Sequence, residues 1–144
     1  MSVLATEQAA ATAGREGKAT SNDGKIDLKL SPPGSNGDGT NPEQLFAAGY
    51  SACFGQAIKA MAEKQEVKID AENLKVDASV RLHKDDDKGF YIDVTLNADI
   101  AGASDEEAKK LVEAAHEICP YSKATRGNIT VNLEAAGHSV KAAA

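Results

Sequence analysis

Two cysteines are the residues of this 144-residue chain with the most distinctive chemistry. Cys53 and Cys119 lie far apart in the sequence, so they form neither a C-x-x-C redox motif nor a zinc-finger pattern. A cysteine reacts as its thiolate, which is the nucleophile, whereas a buried free cysteine packs like a small hydrophobic residue. Spacing alone leaves both roles open, although Cys119 lies at the end of a predicted helix, where a thiol is reachable.

A reactive thiolate needs a positively charged neighbour, and the chain offers three arginines, Arg15, Arg81 and Arg126. Arg15 lies in the glycine-flanked turn Gly14–Gly17, from which a side chain is free to reach across a fold. Composition does not show which of the three arginines lies beside a cysteine. It also does not identify a carboxylate that would hold that arginine in place. The residues by themselves indicate a dithiol protein and no more.

Metal binding is a further alternative for Cys119. His116 precedes it by three positions on a predicted helix, so the two side chains could share a metal ion. The other histidines, His83 and His138, lie in polar segments and supply no third ligand. The acidic run Asp85–Asp87 lacks the spaced oxygen ligands of a calcium loop. The sequence therefore predicts no metal site.

Composition excludes several classes of function. A net charge of −6, 4% aromatic residues and no Trp argue against a nucleic-acid-binding surface. The uncharged stretch Gln44–Ile58 is too short, and at Ser51 and Gln56 too polar, to cross a bilayer. The N-terminus lacks the basic start and apolar stretch of a signal peptide. We expect a cytoplasmic protein, in a reducing compartment where cysteines remain thiols.

The segment before the first helix is predicted to contain two β-strands. One is an alanine-rich candidate within Val3–Ala13, and the other alternates apolar and charged residues through Ile26, Leu28 and Leu30. Turns are predicted at Gly14–Gly17 and at Ser21–Gly24, and a loop at Pro32–Gly39.

The first helix has a clear predicted start. Asn41 can cap it, Pro42 suits the first helical position, and Gln44 lies three residues after the cap, as a capping box requires. From Leu45 to Ala62 apolar residues occupy nearly every face, which is typical of a buried central helix. Cys53 lies in its middle.

The second half of the chain contains a hairpin, a helix and a last strand. Alternation predicts strands over 74–82 and 90–100, joined by the charged turn at 84–89. Ser104 and Glu107 form a capping box for a second helix, which Pro120 limits. A final strand runs through Ile129, Val131 and Leu133. The order ββ-α-ββ-α-β predicts one α+β domain over residues 1–144 with mainly antiparallel strands.

Two long segments resemble a known family. Gly39–Phe54 (GTNPEQLFAAGYSACF) is similar to the first-cysteine signature of the organic hydroperoxide resistance (Ohr) branch of the Ohr/OsmC family. Ala115–Ile129 (AHEICPYSKATRGNI) resembles the second-cysteine signature of the same branch. The resemblance extends over nearly the whole chain and is weakest before Gly14 and after Leu133.

The resemblance implies an intertwined homodimer with two active sites at the subunit interface. It also implies thiol-based reduction of organic hydroperoxides, without a bound cofactor and with an external dithiol on a lipoylated protein as electron donor. By motif, Cys53 is then the peroxidatic cysteine and Cys119 the resolving one. Arg15 is the catalytic arginine and Glu43 the carboxylate that orients it, while Arg126 in the second motif is the nearest alternative to Arg15.

Apolar residues close in sequence to the two cysteines predict a pocket for the alkyl group of a substrate; they are Phe46, Phe54, Ile118 and Tyr121. Two other functions stay open from the residues alone. One is a non-catalytic binding module with inert cysteines. The other is a thiol-based redox sensor that signals without turnover.

Overall fold

A computed structural model of the protein describes residues 1–141, and it confirms the predicted α+β class. Two compact units are present, one over Met1–Leu45 and one from Phe46 onward. No helix of the described residues is long and apolar enough to cross a membrane. The elements are β1 (Ala9–Thr12), β2 (Lys18–Ser21), β3 (Asp27–Lys29), α1 (Pro42–Lys64), β4 (Lys75–Asp85), β5 (Gly89–Asp99), α2 (Asp105–Ile118), α3 (Pro120–Thr125), β6 (Val131–Ala135) and β7 (His138–Val140).

The first unit contains an antiparallel sheet with the strand order β1-β2-β3. In its register Ala19 pairs with Ala11 on one side and with Leu28 on the other. The chain reverses at both predicted turns, first through a 3-10 turn at Gly14–Glu16 and then between Ser21 and Gly24. The central strand β2 was not predicted, because its four residues (KATS) are short and show no alternation of apolar and polar residues.

The second unit contains a sheet with the strand order β4-β5-β6-β7. β4 and β5 form the predicted hairpin, in register from Lys75 opposite Asp99 to Asp85 opposite Gly89. β6 pairs with β5 in parallel, since the two helices between them carry the chain back across the sheet. The other pairings are antiparallel, as predicted. The three-residue strand β7 was too short to be recognised from its pattern.

Helix α1 begins as predicted, although only half of the capping box forms. The side-chain oxygen of Asn41 accepts a hydrogen bond from the Gln44 main-chain N–H at 2.9 Å. The Gln44 side chain instead accepts from the Thr40 hydroxyl at 2.6 Å. One face of the helix is buried, through Tyr50, Phe54, Ala57, Ile58, Met61 and Ala62. The opposite side, which we call the alanine-rich face, is exposed in the single chain and contains Ala48, Ala52, Gln56 and Ala60.

Helix α2 has the complete predicted capping box between Ser104 and Glu107. It ends at Ile118, and Cys119 leaves helical geometry with ψ 124° because a residue before proline is pushed toward extended backbone. Pro120 then opens the short helix α3, which the sequence pattern did not predict. We call Cys119–Tyr121 the corner. The observed order is therefore β-β-β-α-β-β-α-α-β-β.

Candidate active site

Helix α1 and the corner bring the two cysteines into contact. The Cys53 and Cys119 sulfur atoms lie 3.4 Å apart, well beyond the ~2.05 Å of a disulfide bond, so this is the dithiol form. The Cys119 thiol is placed to donate to the Cys53 sulfur. Cys119 is 0% exposed, so the expectation that its place at a helix end makes this thiol reachable is wrong. Cys53, in the middle of α1, is only partly buried. The contact could not be predicted from the spacing of the two cysteines in the sequence.

The surroundings of Cys53 in the second unit favour the neutral thiol. Burial raises the pKa of the Cys53 thiol, because the charged thiolate loses solvation there. The main-chain N–H of Tyr121 opposes this effect by hydrogen bonding to the sulfur, while the adjacent Cys119 raises the pKa further. The neutral thiol is therefore the favoured form of Cys53 in these surroundings.

Arg15 and Glu43 form a bidentate ion pair within the first unit. Nη1 and Nη2 of Arg15 donate to the two carboxylate oxygens of Glu43, each at 2.8 Å. The hydrogen bonds from Arg15 hold the pKa of the Glu43 carboxyl below its usual value. The Arg15 side chain is 44% exposed, while that of Glu43 is only 12% exposed. The carboxylate thus holds the direction of a guanidinium that stays partly exposed.

The turn that carries Arg15 depends on glycine at two positions. Gly14 has a φ of 57°, in the left-handed region that side chains avoid. A Cβ added at Gly17 would lie 1.8 Å from the carbonyl oxygen of Thr12. The Gly-Arg-acidic-Gly pattern therefore has a steric reason, because only glycine lets β1 and β2 approach this closely around Arg15.

The other two arginines are already engaged within the second unit. Arg81 donates to both oxygens of Asp93 at 2.7 Å across the β4–β5 pair. Arg126 donates through Nη2 to the main-chain oxygen of His116, and its Nη1 lies 3.9 Å from the Glu117 carboxylate. Arg126 thus ties the end of α3 to the end of α2.

The four predicted pocket residues differ in their accessibility. Phe54 has no exposed surface and belongs to the core, whereas Phe46 is partly buried. Ile118 and Tyr121 flank Cys119 and keep 39% and 40% of their surface exposed. The rings of Phe46 and Tyr121 lie 6.2 Å apart. Phe46, Ile118 and Tyr121 are therefore the members that offer surface to a ligand in the single chain.

Tyr50 is a residue at this site that the sequence pattern did not single out. Its ring packs against those of Phe46 and Tyr121, at centroid distances of 5.9 and 5.6 Å. Its hydroxyl lies 2.9 Å from the Ser122 Oγ and 3.1 Å from the Thr125 Oγ1. The available signal was its position three residues before Cys53, which places both side chains on one helix face.

His116, the candidate metal ligand, is engaged in the same cluster. Its Nδ1 lies 2.9 Å from the Ser122 Oγ, and burial lowers the pKa of the imidazole. Over residues 1–141 no three His, Cys, Asp or Glu side chains are grouped closely enough to hold a metal ion.

Sequence comparison places the chain among known proteins. Residues 34–134 match the OsmC-like protein family. The chain is 49% identical over 135 residues to organic hydroperoxide resistance protein OhrB of Bacillus subtilis, a match that covers 91% of this chain and 97% of that protein. It is 50% identical over 135 residues to an organic hydroperoxide resistance protein of Xanthomonas axonopodis pv. citri, covering 91% and 94%.

Structural comparison agrees. The crystal structure of OhrB of Bacillus subtilis matches with a TM-score of 0.86 at 47% identity, covering 92% of this chain and 99% of that one. An organic hydroperoxide resistance protein from Legionella pneumophila matches with a TM-score of 0.86 at 43% identity, covering 93% and 98%. The chain therefore belongs to the OsmC-like family and, within it, to the organic hydroperoxide resistance proteins.

Proposed function

We propose that the protein detoxifies organic hydroperoxides by reducing them to alcohols with its cysteine pair. The observation that carries this proposal is the contact between one partly exposed and one buried thiol, at a sulfur–sulfur distance of 3.4 Å. The names of relatives at about 50% identity support the substrate class.

Cys53 is the attacking residue in this proposal, because it is the thiol that a substrate can reach. Its thiolate attacks the terminal oxygen of the hydroperoxide, and the O–O bond breaks. The departing alkoxide takes up a proton and leaves as the alcohol. Cys53 is thereby oxidised to a sulfenic acid.

Cys119 then resolves the sulfenic acid. Its sulfur attacks the Cys53 sulfur, the S–O bond breaks, and the hydroxyl group leaves with a proton as water. The two sulfur atoms must approach from 3.4 Å to ~2.05 Å to form the disulfide bond. An external dithiol, which we propose to be the dihydrolipoyl group of a lipoylated protein in the cytoplasm, reduces the disulfide by exchange.

We propose that Arg15, oriented by Glu43, acts on the Cys53 reaction mainly in the transition state. An ordinary thiol with a pKa of about 8.5 is only about 3% ionised at pH 7, so complete ionisation raises the thiolate fraction at most roughly 30-fold. A thiol acidic enough to be ionised at pH 7 gives a less basic thiolate, which is a poorer nucleophile. With a Brønsted coefficient of about 0.45, the reactivity of each thiolate falls roughly tenfold, and this offsets most of the gain. The net gain is only about twofold to threefold. The larger contribution must come from stabilising negative charge on the departing oxygen.

Two further features complete the proposal. Phe46, Ile118 and Tyr121 provide apolar surface for the alkyl group of the substrate.

The alanine-rich face of α1 is exposed in the single chain and is suited to close packing against a second copy, which supports the homodimer that the resemblance implies.

A steady-state assay tests the function. Purified protein is mixed with tert-butyl hydroperoxide and dihydrolipoamide, and consumption of the peroxide is followed with Cys53→Ser as the matched control. We expect sustained turnover by the wild type and none by the variant. A single stoichiometric oxidation without turnover would identify a sensor, and no reaction of either thiol would identify a binding module with inert cysteines.

A further inference from the structure

The Cys53–Cys119 contact depends on how closely α1 approaches the corner, and the Tyr50 hydroxyl bridges the same elements. It reaches from α1 to Ser122 and Thr125 on α3, at 2.9 and 3.1 Å. Tyr50 and Ser122 are both 0% exposed, so water does not compete for these bonds. Helix α1 is thus joined to the segment around the corner by a polar contact one turn before Cys53.

The hydrogen bonds around Tyr50 have one consistent direction. The Thr125 hydroxyl donates its single hydrogen to the main-chain oxygen of Tyr121 at 3.0 Å. Tyr50 must therefore donate to Thr125, and Ser122 must donate to Tyr50. His116 Nδ1 consequently carries a hydrogen and donates to Ser122. The buried chain runs from His116 on α2 to Ser122 on α3, then to Tyr50 on α1 and back to Thr125 on α3, and each hydroxyl both donates and accepts.

This chain of hydrogen bonds surrounds the corner in sequence. His116 precedes Cys119 by three residues, while Ser122 and Thr125 follow it. The corner supplies Cys53 with the Cys119 thiol and with the main-chain N–H of Tyr121. Holding both sides of the corner against α1 therefore holds two partners of Cys53 in place.

We propose that Tyr50 is a positioning residue for the resolving step: its hydroxyl holds the corner so that Cys119 stays within reach of the Cys53 sulfenic acid. This inference rests on the proposed function. An attacking group that is already placed reacts at a high effective concentration, and freedom of the corner would lower it. Slower resolution also leaves the sulfenic acid exposed to a second peroxide, which oxidises it to a sulfinic acid.

Tyr50→Phe is the direct test, because it removes the hydroxyl and keeps the packed ring. Reduced protein is mixed with tert-butyl hydroperoxide, quenched over time and analysed by mass spectrometry for sulfenic acid and disulfide. We expect sulfenic acid formation within about twofold of wild type and disulfide formation about tenfold slower, which corresponds to about 1.4 kcal/mol. With excess peroxide the fraction of sulfinic Cys53 rises. Tyr91→Phe, the same change at a half-exposed tyrosine of β5, leaves every readout unchanged.

Thr125→Val provides a second variant that keeps side-chain shape and removes the acceptor of the Tyr50 hydroxyl. We expect it to slow the same step, while circular dichroism confirms the fold of each protein. If the resolving rate stays at the wild-type value in folded Tyr50→Phe and Thr125→Val, the positioning role is refuted.

A readout without peroxide separates this inference from the proposed function. The reduced protein is equilibrated in glutathione buffers, and the Cys53–Cys119 disulfide fraction is measured. We expect Tyr50→Phe to lower the equilibrium constant for disulfide formation about tenfold, or about 30 mV for this two-electron couple. An unchanged constant contradicts the positioning role. If the constant shifts while the wild type forms no sulfenic acid with peroxide, the proposed function fails and the positioning of the cysteine pair stands.

Discussion

Replacing Arg15 by Ala should slow attack on the peroxide far more than a change in thiol ionisation allows. Glu43 uses one N–H on each of Nη1 and Nη2, at 2.8 Å, which leaves three N–H groups of the guanidinium that Glu43 does not use. In our proposal these N–H groups are the hydrogen-bond donors to the departing oxygen of the peroxide. Loss of one comparable oxyanion donor costs about 10²- to 10³-fold in rate, whereas ionisation contributes only about twofold to threefold.

The assay is stopped-flow oxidation of the reduced protein by tert-butyl hydroperoxide over a range of pH, with the thiol pKa measured by alkylation. We expect Arg15→Ala to be about 10²- to 10³-fold slower at pH 7, and to remain much slower at alkaline pH, where the thiol ionises without help. Arg81→Ala is the matched control, since that guanidinium is bound to Asp93 in the second unit. Full recovery of Arg15→Ala at high pH would show that ionisation is the whole effect of Arg15, and it would contradict a role in the transition state.

The proposed mechanism also determines how cysteine variants behave, which peroxide is preferred and which oligomer is active. Cys53→Ser should abolish peroxide reduction, whereas Cys119→Ser should react once and stop as the Cys53 sulfenic acid, which mass spectrometry detects. If Cys119→Ser instead blocked the first oxidation step, the roles of the two cysteines would be reversed. A tert-butyl group buried against Phe46, Ile118 and Tyr121 adds four carbons, and burying each is worth about 0.8 kcal/mol. The kcat/KM for tert-butyl hydroperoxide should therefore exceed the kcat/KM for hydrogen peroxide by about a hundredfold. Equal values for the two peroxides would exclude an apolar pocket. The active species should sediment as a homodimer at assay concentration, and a fully active monomer would contradict the use of the alanine-rich face.

The parts of the fold that depend on local chemistry were predictable from the sequence. The helix starts at Asn41 and Ser104 were found because a cap bonds to a main-chain N–H only three residues away. The β4–β5 hairpin was found because eleven-residue strands show clear alternation. Strands β2 and β7 and helix α3 have three to six residues, too few for a period to be read.

The candidate site was predictable only as far as its motifs reach. The motif resemblance led to Cys53, Cys119, Arg15 and Glu43, and the structure shows each pair in contact. The hydrogen bonds of Tyr50 with Ser122 and Thr125 had no such signal. They join residues more than seventy positions apart in the sequence. Hydrogen bonds between these hydroxyl groups become strong only when folding removes the side chains from water.

A single-turnover experiment can follow both thiols and the peroxide together. Reduced protein receives one equivalent of tert-butyl hydroperoxide, and alcohol, free thiols and disulfide-linked peptides are measured on the same sample. We expect one tert-butyl alcohol per chain, loss of both thiols, and a single peptide pair joined through Cys53 and Cys119. Alcohol formation with Cys119 still free, or no alcohol while both thiols persist, would contradict it.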